Sequence, residues 1–269
     1  MTAGVLARPG GRLAYEVTGA GPAVVFVHGF GLDQRMWDPQ VHYLAGRYQV
    51  VRYDCRGFGD SGPFGLGVGY THAGDLLALL DHLGLDRAVL AGLSFGGRVV
   101  LQAALAAPDR VAGLALLATV LDGVPWDPES EAGLAEAARQ ARSAGLAAGH
   151  AAWLGHPLFA AARQRPGLAG LLAEMVGRYP GQHWTADDPH EPAGPRPFDV
   201  LETLAMPAIV IAGQLDVPCF REMSAVLAQR LPDARAEVIA GAGHMVNLES
   251  PGVVNELLAR FLAQVWPPG

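Results

Sequence analysis

Between residues 12 and 119, short apolar runs alternate with segments of helical periodicity. Most of the runs are unbroken apolar stretches, as expected of strands that are buried on both faces of a sheet. The candidate strands are residues 13–17, 23–27, 50–53, 88–91 and 114–118. This order of strand, loop and helix predicts an α/β fold with a mostly parallel, doubly wound sheet covered by helices on both faces.

Two segments between these strands have clear helical patterns. Residues 71–83 have an apolar stripe, and Asp75 and Asp81 lie off it, which predicts an amphipathic helix packed on the sheet. Residues 95–107 are apolar nearly all round, which predicts a central buried helix ended by Pro108. The later elements are strands at 208–212 and 236–240, a helix near 219–231, and a last helix that begins at Ser250 and Pro251.

The alternation stops after Leu121. Residues 122–198 are rich in Ala, Gly and Pro, and we expect three short helices and no strand there. We interpret this segment as an inserted helical cap, or lid, over an α/β core made of residues 1–121 and 199–269. Its aromatic side chains Trp153, Phe159 and Trp184 are candidates for contacts with a substrate in a pocket below.

One serine lies at a predicted strand-to-helix turn with glycines on both sides. The strand at 88–91 runs directly into Gly92, Leu93, Ser94, Phe95 and Gly96. A serine in such a sharp turn needs small neighbours two positions before and after it, so that its hydroxyl can stand clear of the sheet. This pattern indicates that Ser94 is a nucleophile.

A serine nucleophile needs a base, and the base needs an acid that orients it. His244 follows the predicted strand at 236–240, and Asp216 follows the one at 208–212. Because ligands bind beyond the carboxyl ends of parallel strands, these loops can converge on Ser94. Asp122, just after the strand at 114–118, competes with Asp216 as the acid, and we favour Asp216.

The negative oxygen that forms during acyl transfer needs hydrogen-bond donors. The main-chain N–H of Phe95 lies at the start of the predicted central helix, where negative charge is favoured. The loop after the strand at 23–27 reads His28, Gly29, Phe30, Gly31, and the N–H of Phe30 is our second candidate.

Four ordered motifs resemble the α/β-hydrolase superfamily over essentially the whole chain. They are residues 28–31, 54–61, 92–97 and 241–244. The serine turn and residues 244–251 resemble serine hydrolases of the 3-oxoadipate enol-lactonase and carboxylesterase type. Residues 28–34 and Trp37 resemble instead the branch that holds strigolactone and karrikin receptors, whose members usually lack the double glycine at 96 and 97. The resemblance implies that His28 and residues 54–61 fix loop geometry around the site.

We therefore expect a serine hydrolase with a catalytic triad that cleaves an ester or lactone of a small to medium, largely apolar substrate through an acyl-enzyme. Two alternatives share these catalytic residues: a carbon–carbon bond hydrolase of ring-cleavage products and a cofactor-free perhydrolase. A slow-turnover small-molecule receptor of the same fold is the third.

The composition excludes several other classes of enzyme and of binding partner. All 19 basic residues are Arg, which excludes a lysine Schiff base and a Walker A lysine. The net charge of −7, without any basic run, predicts no nucleic-acid or membrane partner. The cap histidines match no metal-ligand spacing, so we expect neither metal nor cofactor. Two isolated cysteines and an N-terminus without a long apolar stretch predict a cytoplasmic protein. A homodimer remains open.

Overall fold

The computed structural model describes residues 1–191 and 194–267. Their β-strands form one eight-stranded sheet. The strands are β1 (Thr2–Arg8), β2 (Gly11–Thr18), β3 (Ala23–Val27), β4 (Gln49–Tyr53), β5 (Ala88–Leu93), β6 (Val111–Leu117), β7 (Ala208–Gly213) and β8 (Ala234–Ile239). Their spatial order is β1-β2-β4-β3-β5-β6-β7-β8. Strand β2 is antiparallel to both neighbours, and all other pairs are parallel. The predicted α/β class with a mostly parallel sheet is confirmed.

The α-helices of the described residues lie in the connections between strands and, for the last two, after β8. They are α1 (Asp38–Leu44), α2 (His72–His82), α3 (Phe95–Ala106), α4 (Pro128–Ala144), α5 (Leu146–Gly155), α6 (Ala160–Arg163), α7 (Leu168–Arg178), α8 (Gln182–Thr185), α9 (Pro197–Val200), α10 (Pro218–Arg230), α11 (Val246–Glu249) and α12 (Pro251–Val265). Helix α2 packs on α3, α1 on α12, and α10 on β7 and β8. Every residue of β3, β5, β6 and β7 is buried, which explains their unbroken apolar sequences.

The N-terminal strand β1 is absent from the predicted elements. It is an edge strand, paired only with β2, and its residues alternate between exposed and half-buried. Its sequence therefore lacks the apolar run by which the central strands were recognised. The last strand, β8, begins two residues earlier than expected because its first residues are also partly exposed.

The prediction of three short helices for residues 122–198, which we call the cap segment, is wrong. Helix α4 alone has 17 residues, and several shorter helices follow it. Pro128 stands in its first turn, and the Asp127 carboxylate accepts a hydrogen bond from the Ser130 N–H, so this helix has a strong start signal. The described residues of the cap segment contain no strand, as expected. Helix α9 spans the predicted boundary between residues 198 and 199.

Asp75 of α2 is buried, although it lies off the apolar stripe of this helix. Its carboxylate accepts two hydrogen bonds from the guanidinium of Arg56, at 2.9 and 2.7 Å. Arg8 donates a third bond to the same carboxylate at 3.0 Å. The Arg56 guanidinium also lies 4.4 Å from the centre of the Tyr70 ring. This ion pair fixes the loop after β4 against α2 and the N-terminal hairpin.

None of the helices in the described part of the chain combines the length and the apolar character that a bilayer crossing needs. The two cysteines, Cys55 and Cys219, are buried and form no disulfide.

Candidate active site

Ser94 lies between the end of β5 and the start of α3 in a strained backbone conformation. Its φ is +56° and its ψ is −114°, a region that residues with a side chain rarely adopt. Three main-chain hydrogen bonds hold it there. Its N–H donates to Leu117 O at 2.9 Å, and its carbonyl accepts from Val120 N at 3.1 Å and Arg98 N at 3.2 Å. The end of β6 therefore fixes the turn from the other side.

Glycines beside Ser94 allow the backbone segments to approach closely. A Cβ added to Gly92 would lie 2.3 Å from the carbonyl of Gly96, and one added to Gly96 would lie 2.1 Å from Val27 O. Because backbone atoms cannot move away cheaply, both positions require glycine. This is the physical reason for the spacing that the sequence shows.

His244 and Asp216 form a buried hydrogen-bonded pair. The imidazole Nδ1 lies 2.9 Å from Asp216 Oδ2 and 3.1 Å from Oδ1, and both side chains are 1 % exposed. An ionised carboxylate only accepts, so Nδ1 carries the proton and Nε2 is left as an acceptor. The Phe220 ring packs on the imidazole edge to face at 4.3 Å, and Val217 N donates to Asp216 Oδ1 at 2.8 Å.

Ser94 and His244 line the same cavity. The hydrogen bonds of the described residues join His244 to Asp216 and none joins it to the Ser94 hydroxyl. Such a contact is often long in a free enzyme and shortens when substrate binds. Asp122, the competing acid, lies 3.5 Å from the Arg98 guanidinium instead, so the structure pairs His244 with Asp216.

The main-chain N–H groups of Phe30 and Phe95 have no hydrogen-bond acceptor among the described residues. Phe95 is the first residue of α3, and both residues line the cavity. His28 orients the loop of Phe30: its Nδ1 donates to Gly29 O at 2.8 Å, and its Nε2 accepts from Cys55 N at 2.9 Å. Burial lowers the pKa of His28, which suits this neutral form.

The cavity has a volume of about 560 Å³ and lies between the core and the cap segment. The three aromatic residues expected to contact substrate, Trp153, Phe159 and Trp184, all line it. Most of the remaining surface is apolar. These residues are Leu32, Val120, Trp126, Leu134, Ala135, Ala138, Leu158 and Met245.

A second part of the cavity wall is polar and was not predicted as a unit. His72 of α2 stacks on His190 of the cap segment with ring centres 4.9 Å apart, and His183 lies 6.5 Å from His72. Burial lowers the pKa of all three, that of His183 to about 4. They are therefore neutral at pH 7. Nothing in the sequence marks His72 as a residue of the cavity, because it lies within an amphipathic helix.

The charged residues on the cavity wall are mainly acidic. The carboxylates of Asp122, Glu131 and Asp188 line it, and Arg98 is the one arginine that does so among the described residues. None of the described arginines of the cap segment reaches this wall. Because Asp122 faces Arg98 at 3.5 Å, part of the single positive charge is already neutralised.

The chain is similar to known proteins over most of its length. The sequence model of the alpha/beta hydrolase fold matches residues 22–251. A protein of Azorhizobium caulinodans named for carbamate hydrolysis is 31 % identical over 263 residues, which cover 94 % of this chain and 96 % of that protein. Among solved structures, a thermophilic esterase from Thermogutta terrifontis is 32 % identical with a TM-score of 0.83, covering 98 % of this chain and 99 % of that one.

An enol-lactonase from Burkholderia xenovorans LB400 is 28 % identical with a TM-score of 0.82, and the match covers 97 % of this chain and 100 % of that one. The matches to these relatives cover 94–98 % of this chain, and the family match includes the serine turn and both loops that carry Asp216 and His244. The expected resemblance is confirmed, and the chain belongs to the α/β-hydrolase family.

Proposed function

We propose that this protein is a serine hydrolase that cleaves a carboxylic ester or lactone through an acyl-enzyme. The proposal rests on the buried Asp216–His244 pair, whose His244 lines the same cavity as the strained Ser94. The hydroxyl of Ser94 is the nucleophile, the imidazole of His244 is the base, and the carboxylate of Asp216 orients the imidazole without taking up its proton. Relatives named as esterase and enol-lactonase support the same reaction class.

In the first half-reaction, Ser94 Oγ attacks the substrate carbonyl carbon while His244 Nε2 accepts the hydroxyl proton. The carbonyl oxygen becomes negative and accepts hydrogen bonds from the N–H groups of Phe30 and Phe95. Each such donor stabilises the transition state by about 2.7–4 kcal/mol. His244 then gives the proton to the leaving oxygen. Water, activated by the same imidazole, attacks the acyl-enzyme and releases the acid.

The cavity wall supports a largely apolar substrate of small to medium size, because its greater part is aliphatic and aromatic. Its three carboxylates against one arginine disfavour an additional negative charge on the substrate. We therefore propose an ester or lactone without a free carboxylate, held with its apolar part against Trp153, Phe159 and Trp184.

The proposal is tested with a panel of p-nitrophenyl esters and lactones, in which each neutral acyl chain is paired with a homologue that ends in a carboxylate. We expect repeated turnover and a preference for the neutral member of each pair. Ser94→Ala is the blank, and we expect it to lower kcat by about 10⁶ while the protein stays folded. Undiminished hydrolysis by this variant would exclude Ser94 as the nucleophile. Tight binding without turnover would favour a receptor instead.

A further inference from the structure

One buried carboxylate holds both sides of the loop that carries His244. The Glu249 side chain is fully buried. Its Oε2 accepts from Gly243 N at 2.7 Å, and its Oε1 accepts from Met245 N at 3.0 Å. These two N–H groups flank His244 in the chain. Hydrogen bonds to an ionised acceptor are about twice as strong as neutral ones, so Glu249 fixes the backbone on either side of the imidazole.

An arginine of the cap segment closes the same loop from outside. Arg165, between α6 and α7, donates to Gly241 O at 2.6 Å and to the main-chain oxygen of Glu249 at 2.5 Å. Its Nε also lies 3.5 Å from Glu249 Oε2. The guanidinium therefore spans residues 241–249 and is the cation beside their buried carboxylate.

Direct packing joins the cap segment to the loop at a further point. A Cβ added to Gly243 would lie 2.7 Å from Ala161 Cβ, so α6 rests on the backbone next to His244. Helix α6 also contacts α11, which carries Glu249. A shift of the cap segment therefore has to change the surroundings of this loop.

We propose that Arg165 and Glu249 are positioning residues that couple the cap segment to His244. With the cap segment seated, Arg165 balances the charge of Glu249, and Glu249 keeps the imidazole aimed at Ser94. When the cap segment lifts, Glu249 loses its cation, and a buried carboxylate without one is unstable. The loop then relaxes, and acid–base catalysis weakens until the cavity closes again. The inference rests on the proposed function only through the role of His244 as the base.

The test compares Arg165→Gln with Arg163→Gln. Arg163 lies two residues earlier and donates to Leu154 O and His156 O, so its bonds stay inside the cap segment. Both variants lose one guanidinium and its bonds to carbonyls, but only Arg165 reaches the His244 loop. A misplacement of about 1 Å can cost about 10²-fold in rate. We expect Arg165→Gln to lower kcat by roughly 10- to 100-fold with little change in KM, and Arg163→Gln to resemble the wild type.

A measurement without substrate keeps the inference independent of turnover. Deuterium exchange of a peptide covering residues 241–249 reports the protection of the Gly243 and Met245 N–H groups. We expect faster exchange in Arg165→Gln and in Glu249→Gln, wild-type exchange in Arg163→Gln, and partial recovery in Arg165→Lys. Thermal melts verify that each variant is folded.

The outcomes separate the two proposals. Equal kcat and equal exchange in Arg165→Gln and Arg163→Gln would overturn the coupling, even if the wild type is a good esterase. Failure of the wild type to hydrolyse any ester or to react with a fluorophosphonate would overturn the proposed function. In that case, the exchange data alone would still support or reject the link between Arg165 and the loop.

Discussion

At the scale of single residues, the proposed nucleophile Ser94 can be recognised from the sequence because its steric constraints fall on neighbouring positions. Gly92 must be small because of Gly96 in the same turn, and Gly96 because of Val27 O of β3, so both requirements fall on positions beside Ser94 and leave a pattern there. Ala118 is different. Its φ of +40° is equally unusual, and its N–H donates to Ile211 O at 2.9 Å, but an alanine after an apolar strand gives no signal of strain. The partner of its N–H belongs to β7, which is distant in the chain.

A single substitution tests whether Asp216 is the acid that orients His244. Asp216→Asn removes the charge that favours the imidazolium and the acceptor that selects the Nδ1–H tautomer. In a serine protease, the matching change lowers kcat by about 10⁴, and we expect a loss of that order here. Steady-state kinetics on the best ester of the panel measure it.

Asp122→Asn is the matched control, because it also removes a carboxylate that lines the cavity but contacts Arg98 rather than His244. We expect it to keep most of its turnover on neutral esters and to accept carboxylate-bearing esters better than the wild type, since Arg98 loses its partner. A collapse of kcat in Asp122→Asn with full activity in Asp216→Asn would reverse the assignment.

At the scale of elements, periodicity predicted the buried strands and α2 and α3, but it failed where a long-range partner decides burial. Asp75 lies off the apolar stripe of α2 and is nevertheless buried, because Arg56 after β4 and Arg8 at the end of β1 both donate hydrogen bonds to it. A charged residue, taken without its partners, is predicted to be exposed to solvent. No local pattern could have shown that two guanidinium groups from other elements meet this carboxylate.

The buried ion pair predicts a large stability effect on one face of α2 and a small one on the other. Asp75→Ala leaves the buried Arg56 without a counter-charge, and we expect the free energy of unfolding to fall by about 3–5 kcal/mol. On the same helix, Asp81 is 66 % exposed and pairs with Arg110, so Asp81→Ala should cost at most about 1 kcal/mol. Urea unfolding measures both; equal costs would contradict the role of Asp75.

At the scale of the whole molecule, the cap segment meets the core through neutral imidazoles. His72 belongs to α2, and His183 and His190 belong to the cap segment, so the cluster forms only when both parts are assembled. The sequence showed the cap histidines but not their partner in the core. The general place of the site, beyond the carboxyl ends of the strands, followed from topology; the composition of its polar wall depended on the way the cap segment is seated.

This cluster predicts acid sensitivity. The pKa of His183 is about 4 in the folded protein and near 6.5 in an unfolded chain. Between these values the unfolded chain binds a proton that the folded protein does not, so the free energy of unfolding falls as pH decreases, by up to about 1.4 kcal/mol per pH unit for each such histidine.

Urea unfolding between pH 7 and pH 4.5 tests this linkage. His183→Gln should flatten the dependence, and His42→Gln, which changes an exposed histidine on α1, should leave it as in the wild type. Identical slopes for His183→Gln and the wild type would show that the acid response arises elsewhere.

The whole cap segment is inserted in one connection, between β6 and β7, while Ser94, Asp216 and His244 follow other strands. Replacing the cap segment by one of another shape therefore requires changes at only one connection of the sheet. The substrate range can then change while the reaction stays the same. By the coupling proposed above, the new segment also needs an arginine at the place of Arg165.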